Sequence, residues 1–224
     1  MDKGKLIVME GACDGIGKTT QFELLLKKFK DSGVSVTSHH FPSYETSEAN
    51  SVTKYLNGDF GEPKDLSPYF INSLYAHDRA VTWYRSLKKE FDSGKTILLD
   101  RYTTSSLIYQ SALIESKEEK ESFLEYVIDF EYNKLGIKKP DKVIFLYAPF
   151  DMVSELRQKR NKEENLKEDI HESNLEFMRK VYENALFVAE YLNWDVIRCN
   201  IDNEMRSIED IHEEICYLLN DCKN

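Results

Sequence analysis

Between Gly11 and Thr20 the chain reads Gly-Ala-Cys-Asp-Gly-Ile-Gly-Lys-Thr-Thr. Gly11, Gly15 and Gly17 permit a turn that few other residues could make, and Lys18-Thr19-Thr20 opens a helix. Such a loop turns successive backbone N–H groups inward and ends at a helix N-terminus, where a phosphate is held. The segment Gly11, Asp14, Gly15, Ile16, Gly17, Lys18, Thr19 and Thr20 is therefore the candidate cradle for a nucleotide's phosphates. Lys18 would reach the β- and γ-phosphates, and the Thr19 hydroxyl would take a place on Mg²⁺. The usual spacing sets four residues between the first glycine and the Gly-Lys pair. Counted back from Gly17, that position is Ala12, with the glycine one earlier at Gly11. Either the loop carries one extra residue, or Ala12 takes backbone angles that suit glycine.

A second candidate is Asp100-Arg101, directly after the apolar run Ile97-Leu98-Leu99. A carboxylate there can hold Mg²⁺ or its water, and an arginine can neutralise charge on a transferred group. Phosphoryl transfer is catalysed mainly by such positioning and electrostatics. The plainer alternative is a salt-bridged pair closing a strand.

Elements that could place these residues follow from the hydrophobic pattern. Strands are expected at 6–9, 34–40, 96–100, 142–147 and 195–198. Helices are expected at 21–30, 48–56, 67–94, 104–114, from the charged stretch 115–121 to about 136, at 150–159 and 175–192, and from 207 onward. Strands alternating with helices imply a three-layer α/β/α fold around a mostly parallel sheet, with ligands at the strands' carboxyl ends. The length of 224 residues allows one sizeable domain over 1–224. A net charge of −10 argues against a nucleic-acid partner, since no broad basic excess exists to neutralise phosphates. No apolar run approaches the ~18–20 residues of a membrane span. Four cysteines without metal-ligand spacing fit a reducing cytoplasm.

With these residues in view, the chain resembles the thymidylate kinase family nearly end to end. The loop Glu10–Gln21 is similar to the family's first motif. Asp100-Arg-Tyr-Thr-Thr-Ser-Ser-Leu-Ile-Tyr-Gln110 is similar to its signature of Asp-Arg, then Ser-Ser, then Tyr-Gln, and Lys139-Pro-Asp141 also fits. The resemblance implies a P-loop NTPase-type fold of the nucleoside monophosphate kinase kind. It also implies roles. Asp14 would meet a deoxyribose 3′-hydroxyl, and Phe41 and Pro42 would line the acceptor site. Tyr75 would stack on a pyrimidine while Arg79, four residues on and so on the same helix face, grips the monophosphate with Arg101. Gln110 would read the pyrimidine edge, being able to donate and to accept. Tyr109 would crowd the sugar's 2′ position, and Ser105 and Ser106 would contribute hydroxyls. The basic run at about 157–172 looks like the family's mobile lid. Because the phosphate-loop residue after Asp14 is Gly15, the catalytic arginine should come from that lid, with Arg157 and Arg160 the candidates.

Departures from the family pattern fall at Ala12, His40, Ile108, Ser111-Ala112 and Ile170. They touch the acceptor's identity more than phosphoryl transfer. The expectation is an ATP- and Mg²⁺-dependent homodimeric kinase that makes dTDP from dTMP, with Lys18, Asp100, Arg101 and the lid arginines catalytic and Thr19 and Asp100 on the metal. The alternatives are another pyrimidine nucleotide or deoxynucleoside kinase of this fold, and a nucleotide-binding protein without transfer activity. A GTPase switch would need a base-reading Asn-Lys-x-Asp, and Asn133-Lys-Leu-Gly136 lacks the aspartate.

Overall fold

The computed structural model describes residues 4–13, 15–164, 171 and 174–220, and only the backbone at 160–164 and 220. Leu6, Ile7, Val8 and Met9 are almost wholly shut off from solvent, as a strand covered on both faces must be. They form β1 (Leu6–Gly11) at the centre of a parallel sheet. Its order is β2-β3-β1-β4-β5, where β2 is Val36–His40, β3 Thr96–Asp100, β4 Lys142–Tyr147 and β5 Asp195–Arg198. From β3 the chain crosses β1 to reach β4, so the strand order reverses beside β1. That is where open α/β sheets bind ligands.

Side chains of β1 alternate between two cores. Leu6 and Val8 join Ile97 and Leu99 beneath Trp83, Leu87 and Phe91. Ile7 and Met9 join Leu98, Ile144 and Leu25 in a larger cluster that also takes in Val181, Val188, Ile211 and Ile215. Each aliphatic side chain so buried contributes about 1.5–3 kcal/mol. Trp83, Leu87 and Phe91 come from one long rod in three parts: α3 (Pro68–Thr82), a π turn (Trp83–Leu87) and α4 (Lys88–Asp92). The second core is covered by α1 (Lys18–Asp31), α8 (Leu175–Tyr191) and α9 (Ile208–Asn220). Between them lie α2 (Asn50–Leu56), α5 (Thr103–Tyr109), α6 (Lys117–Ile128) and α7 (Phe150–Glu164).

The expected strands are present, and β1 extends two residues further, to Gly11. Asp141 accepts a bond from the Leu6 N–H and returns its own N–H to the Leu6 carbonyl, both at 2.8 Å, fixing the start of β4 against β1. The helix expected at 104–114 stops at Tyr109 and resumes only as a 3₁₀ turn at Ser111–Leu113. The reason is one tertiary contact and one local bond: Asn184 Nδ2 takes the Ile108 carbonyl at 2.7 Å, and the Ser111 hydroxyl bonds back to the Leu107 carbonyl. Both carbonyls would otherwise accept from the next helical turn. The helix expected at 150–159 runs on to Glu164. A short hairpin, β6 (Asn200–Ile201) with β7 (Glu204–Met205), was not foreseen.

Candidate active site

Strand register sets the site. Met9 and His40 both pair with Asp100, and Gly11 pairs with Leu146, so the ends of four strands meet at one sheet edge. The phosphate loop leaves β1 there. Ala12 donates its N–H to the Leu146 carbonyl at 3.0 Å, continuing the β1–β4 ladder by one residue. It is not among the residues with positive φ, whereas Gly15 (φ 96°) and Gly17 (φ 89°) are. Ala12 thus follows directly on β1 with ordinary backbone angles, and the positive-φ positions of the turn fall to Gly15 and Gly17. Gly17 caps α1, whose first turn carries no acidic side chain. The result is an open cluster of N–H donors suited to phosphate. Ile16 is buried, while Thr19 and Thr20 are exposed at the helix start. Asp14, expected at the acceptor's sugar, lies outside the described residues.

Lys18 is buried and ion-paired with Asp100 Oδ1, while His40 Nδ1 lies 3.1 Å from Asp100 Oδ2. Burial pushes the Asp100 carboxyl up. The bond from His40 and the charges of Lys18 and Arg101 outweigh burial and hold it well below the usual carboxylate range. An ionised carboxylate and an exposed threonine hydroxyl are the oxygen donors that suit Mg²⁺, a hard cation that takes one or two protein oxygens and leaves the rest to phosphates and water. Among the described residues no group of three or more His, Cys, Asp or Glu could hold a metal alone.

Arg101 extends the sheet through its N–H to the Met9 carbonyl at 3.1 Å, then turns with φ 65°. A non-glycine residue in that conformation is held there by its surroundings. Its guanidinium lies 3.5 Å from Glu10 Oε1 and 3.4 Å from Ser105 Oγ, and 5.7 Å from the Tyr109 ring centre. Beneath it Glu10, fully buried, accepts from Thr104 at 2.8 Å and Ser105 at 2.6 Å. Glu10 was missed by sequence reasoning, although a carboxylate closing an apolar strand is a visible signal.

Beside Arg101 opens a cavity of about 320 Å³, within the usual range for small-ligand sites. Its wall contains Phe41, Pro42, Tyr75, Arg79, Arg101, Ser105, Ser106, Tyr109 and Gln110, together with His40, Tyr44, Leu56 and His171. Every substrate-side residue expected from the sequence is therefore brought together here, Asp14 apart. The segment after the cis Phe41–Pro42 bond is fastened to α3 by Asp78, which accepts from the Ser43 N–H at 2.9 Å. The two serines are committed internally: Ser105 donates to Glu10, and Ser106 accepts from Arg79 at 2.8 Å. Gln110 is 2% exposed and its Oε1 has no hydrogen-bond partner. A buried acceptor left empty is costly, and this one belongs to a side chain that lines the cavity.

Arg79 sits differently from a lone cation on a helix face. It is buried and bound at two points by Glu131, at 2.7 Å each. Burial works against its charge, and the Glu131 carboxylate more than restores it. Nothing in the local sequence announces Glu131. His171 was also missed as a wall residue. It stacks on Tyr109 (5.6 Å between rings) and lies 2.8 Å from the Tyr55 hydroxyl.

Of the expected lid, α7 carries Arg157 against the phosphate loop. A Cβ added to Gly15 would lie 3.0 Å from Arg157 Cβ. Arg157 is 4% exposed and its Nε lacks a partner. The side chain of Arg160 and residues 165–170 and 172 lie outside the described residues.

A phosphate loop and a walled pocket on one edge of a parallel sheet define a P-loop α/β enzyme of the nucleotide kinase class. More particularly, the chain belongs to the thymidylate kinase family, whose model matches residues 9–215. It is similar to a probable thymidylate kinase of Thermococcus gammatolerans, 32% identical over 220 residues and covering 96% of each chain. It is also similar to the thymidylate kinase of Plasmodium falciparum, 30% identical over 95% of this chain and 88% of that one. Among solved structures, thymidylate kinase from Candida albicans superposes with a TM-score of 0.71, over 99% of this chain and 93% of that one. At 20% identity, that likeness bears on the fold.

Proposed function

We propose that the protein transfers the γ-phosphoryl group of ATP to dTMP, giving dTDP and ADP. The observation that carries this reading is the empty acceptor on Gln110, buried in the cavity that Arg101 closes on the phosphate-loop side. A pyrimidine with an N3–H supplies the donor that Gln110 Oε1 lacks. Tyr75 stacks on the ring and Tyr109 crowds a 2′-hydroxyl. Asp14 serves the 3′-hydroxyl, Phe41 and Pro42 complete the wall, and Arg101 draws in the acceptor phosphate. Arg79, its charge already matched by Glu131, acts at the wall as a fixed N–H donor, which leaves the phosphate to Arg101.

An oxygen of the acceptor phosphate attacks the γ-phosphorus in line, and the bond to the β–γ bridging oxygen breaks. No covalent intermediate with the protein forms. Lys18, the loop N–H groups, Arg101, Arg157 and Arg160 stabilise the negative charge spread over the transferring group. Mg²⁺ would be held by Thr19 and Asp100 and, when bound, neutralises charge on the donor phosphates. Cys13, Cys199 and Cys216 are buried and none is in a disulfide, and among the described residues no helix is long and apolar enough to cross a membrane. Both accord with a cytoplasmic enzyme. Exposed Tyr69, Phe70 and Tyr126 offer a face for the homodimer that the family suggests, which sedimentation would check.

An ADP-release assay across dTMP, dUMP, dCMP, UMP and thymidine tests the reading. dTMP should be the preferred acceptor. Preference for thymidine over dTMP would remove the role given to Arg101.

A further inference from the structure

Glu131 is a fully buried carboxylate on a π turn, Asp129–Lys134, an irregularity that often marks functional positions. The reaction above gives it no direct task. Its Oε2 accepts from Arg79 Nε at 2.7 Å and from Thr103 Oγ1 at 2.8 Å, and its Oε1 accepts from Arg79 Nη2 at 2.7 Å. Two-point contact with a carboxylate fixes both the plane and the direction of a guanidinium. Nη2 also donates to Ser106 Oγ at 2.8 Å. Nη1 is left with one long contact, 3.4 Å to the Tyr102 carbonyl, and it belongs to a side chain that lines the cavity. A buried ion pair contributes little net stability, because desolvation consumes most of the attraction. Stability alone is therefore a weak reason for this one.

We propose that Glu131 is a positioning residue for the acceptor. It clamps one edge of Arg79 and cancels its charge, so the cavity meets a directed N–H donor instead of a mobile cation. This inference rests on the reading of the cavity as a nucleoside monophosphate site.

The test uses the full-length protein, with KM for dTMP and for ATP, the dTMP Kd by calorimetry, and Tm. Glu131→Gln should raise the dTMP KM and Kd about tenfold, the worth of one directed hydrogen bond, and leave the ATP KM unchanged. Glu131→Asp, which keeps the charge but shortens the reach, should fall between the two and guards against a Gln variant that fails to fold. Adding Glu131→Gln to Arg79→Met should raise the dTMP KM no further, since the pair acts as a unit. A merely structural Glu131 would lower Tm while leaving the dTMP KM unchanged, or raise both KM values together; either result overturns the proposal. If the wild type phosphorylates dTMP and its variants keep its KM, only this inference falls. If the wild type neither binds nor phosphorylates dTMP, the functional reading falls and takes this inference with it.

Discussion

The donor and acceptor halves of the site are built from different materials. On the donor side, backbone does most of the work: glycines 15 and 17 turn with positive φ, α1 opens with free N–H groups, and Lys18 is the main side chain. On the acceptor side, side chains from the end of β2 and the segment after it, α3, α5 and the residue His171 converge; Glu10 holds Ser105, Glu131 holds Arg79, and Asp78 fastens the Ser43 backbone. A backbone cradle recognises any polyphosphate. A wall of locked side chains recognises one shape. Rate should therefore depend chiefly on the first half, and choice of substrate on the second.

That division is open to direct attack. The largest expected effect is on the donor side: Lys18→Met should lower kcat/KM roughly 10³-fold in an ADP-release assay. Because it also strands the buried Asp100, its Tm should fall. Arg157→Gln comes next, lowering kcat roughly 10²-fold without raising the dTMP KM. Its Nε has no partner in the fold, so Tm should hold. Equal losses in the dTMP KM would place Arg157 with the acceptor and blur the two halves.

Gln110→Leu sharpens the comparison from the other side. It removes a buried, unpartnered acceptor, so Tm should stay level or rise, while the dTMP KM increases about tenfold or more, for a hydrogen bond worth roughly 1–3 kcal/mol. A variant with lower Tm and native KM would give Gln110 a structural role only.

The smallest effect concerns pH and stability. Burial pulls the His39 imidazole below its ordinary 6.5, the Asp78 charge opposing and the His40 neighbour adding to it. The folded protein thus favours neutral His39, and the unfolded chain binds more protons as pH falls through 6.5. Stability is full above that value and declines below it. Asp100, held below its ordinary 3.8, adds a second decline at lower pH. Thermal melts from pH 8 to 4 should show Tm falling on the acid side, and His39→Asn should flatten the part between 6.5 and 5.

Legibility in the sequence follows the same division. The donor side is contiguous, so Gly15, Gly17, Lys18 and Thr19 could be read from spacing alone, as could the five strands of the sheet. The spacing left Ala12 ambiguous; it follows β1 directly, bonds once more to β4 and needs no positive φ. The acceptor side is scattered over some hundred residues of chain. Tyr75, Arg79 and Gln110 were reachable only through a family resemblance, and Glu131, the carboxylate that locks Arg79, was not reachable at all. Glu131 looks like any other charge on a helical stretch, and only the tertiary fold brings it to Arg79. The early stop of α5 has the same origin, since Asn184 lies 76 residues from the Ile108 carbonyl it captures.

The central claim is that one sheet edge holds a donor triphosphate and a pyrimidine monophosphate within reach of each other. Phosphorus NMR of the purified protein with ATP, Mg²⁺ and dTMP tests it most directly. The account predicts growth of dTDP and ADP signals in equal amounts. ADP accumulating with free phosphate and no dTDP would contradict it.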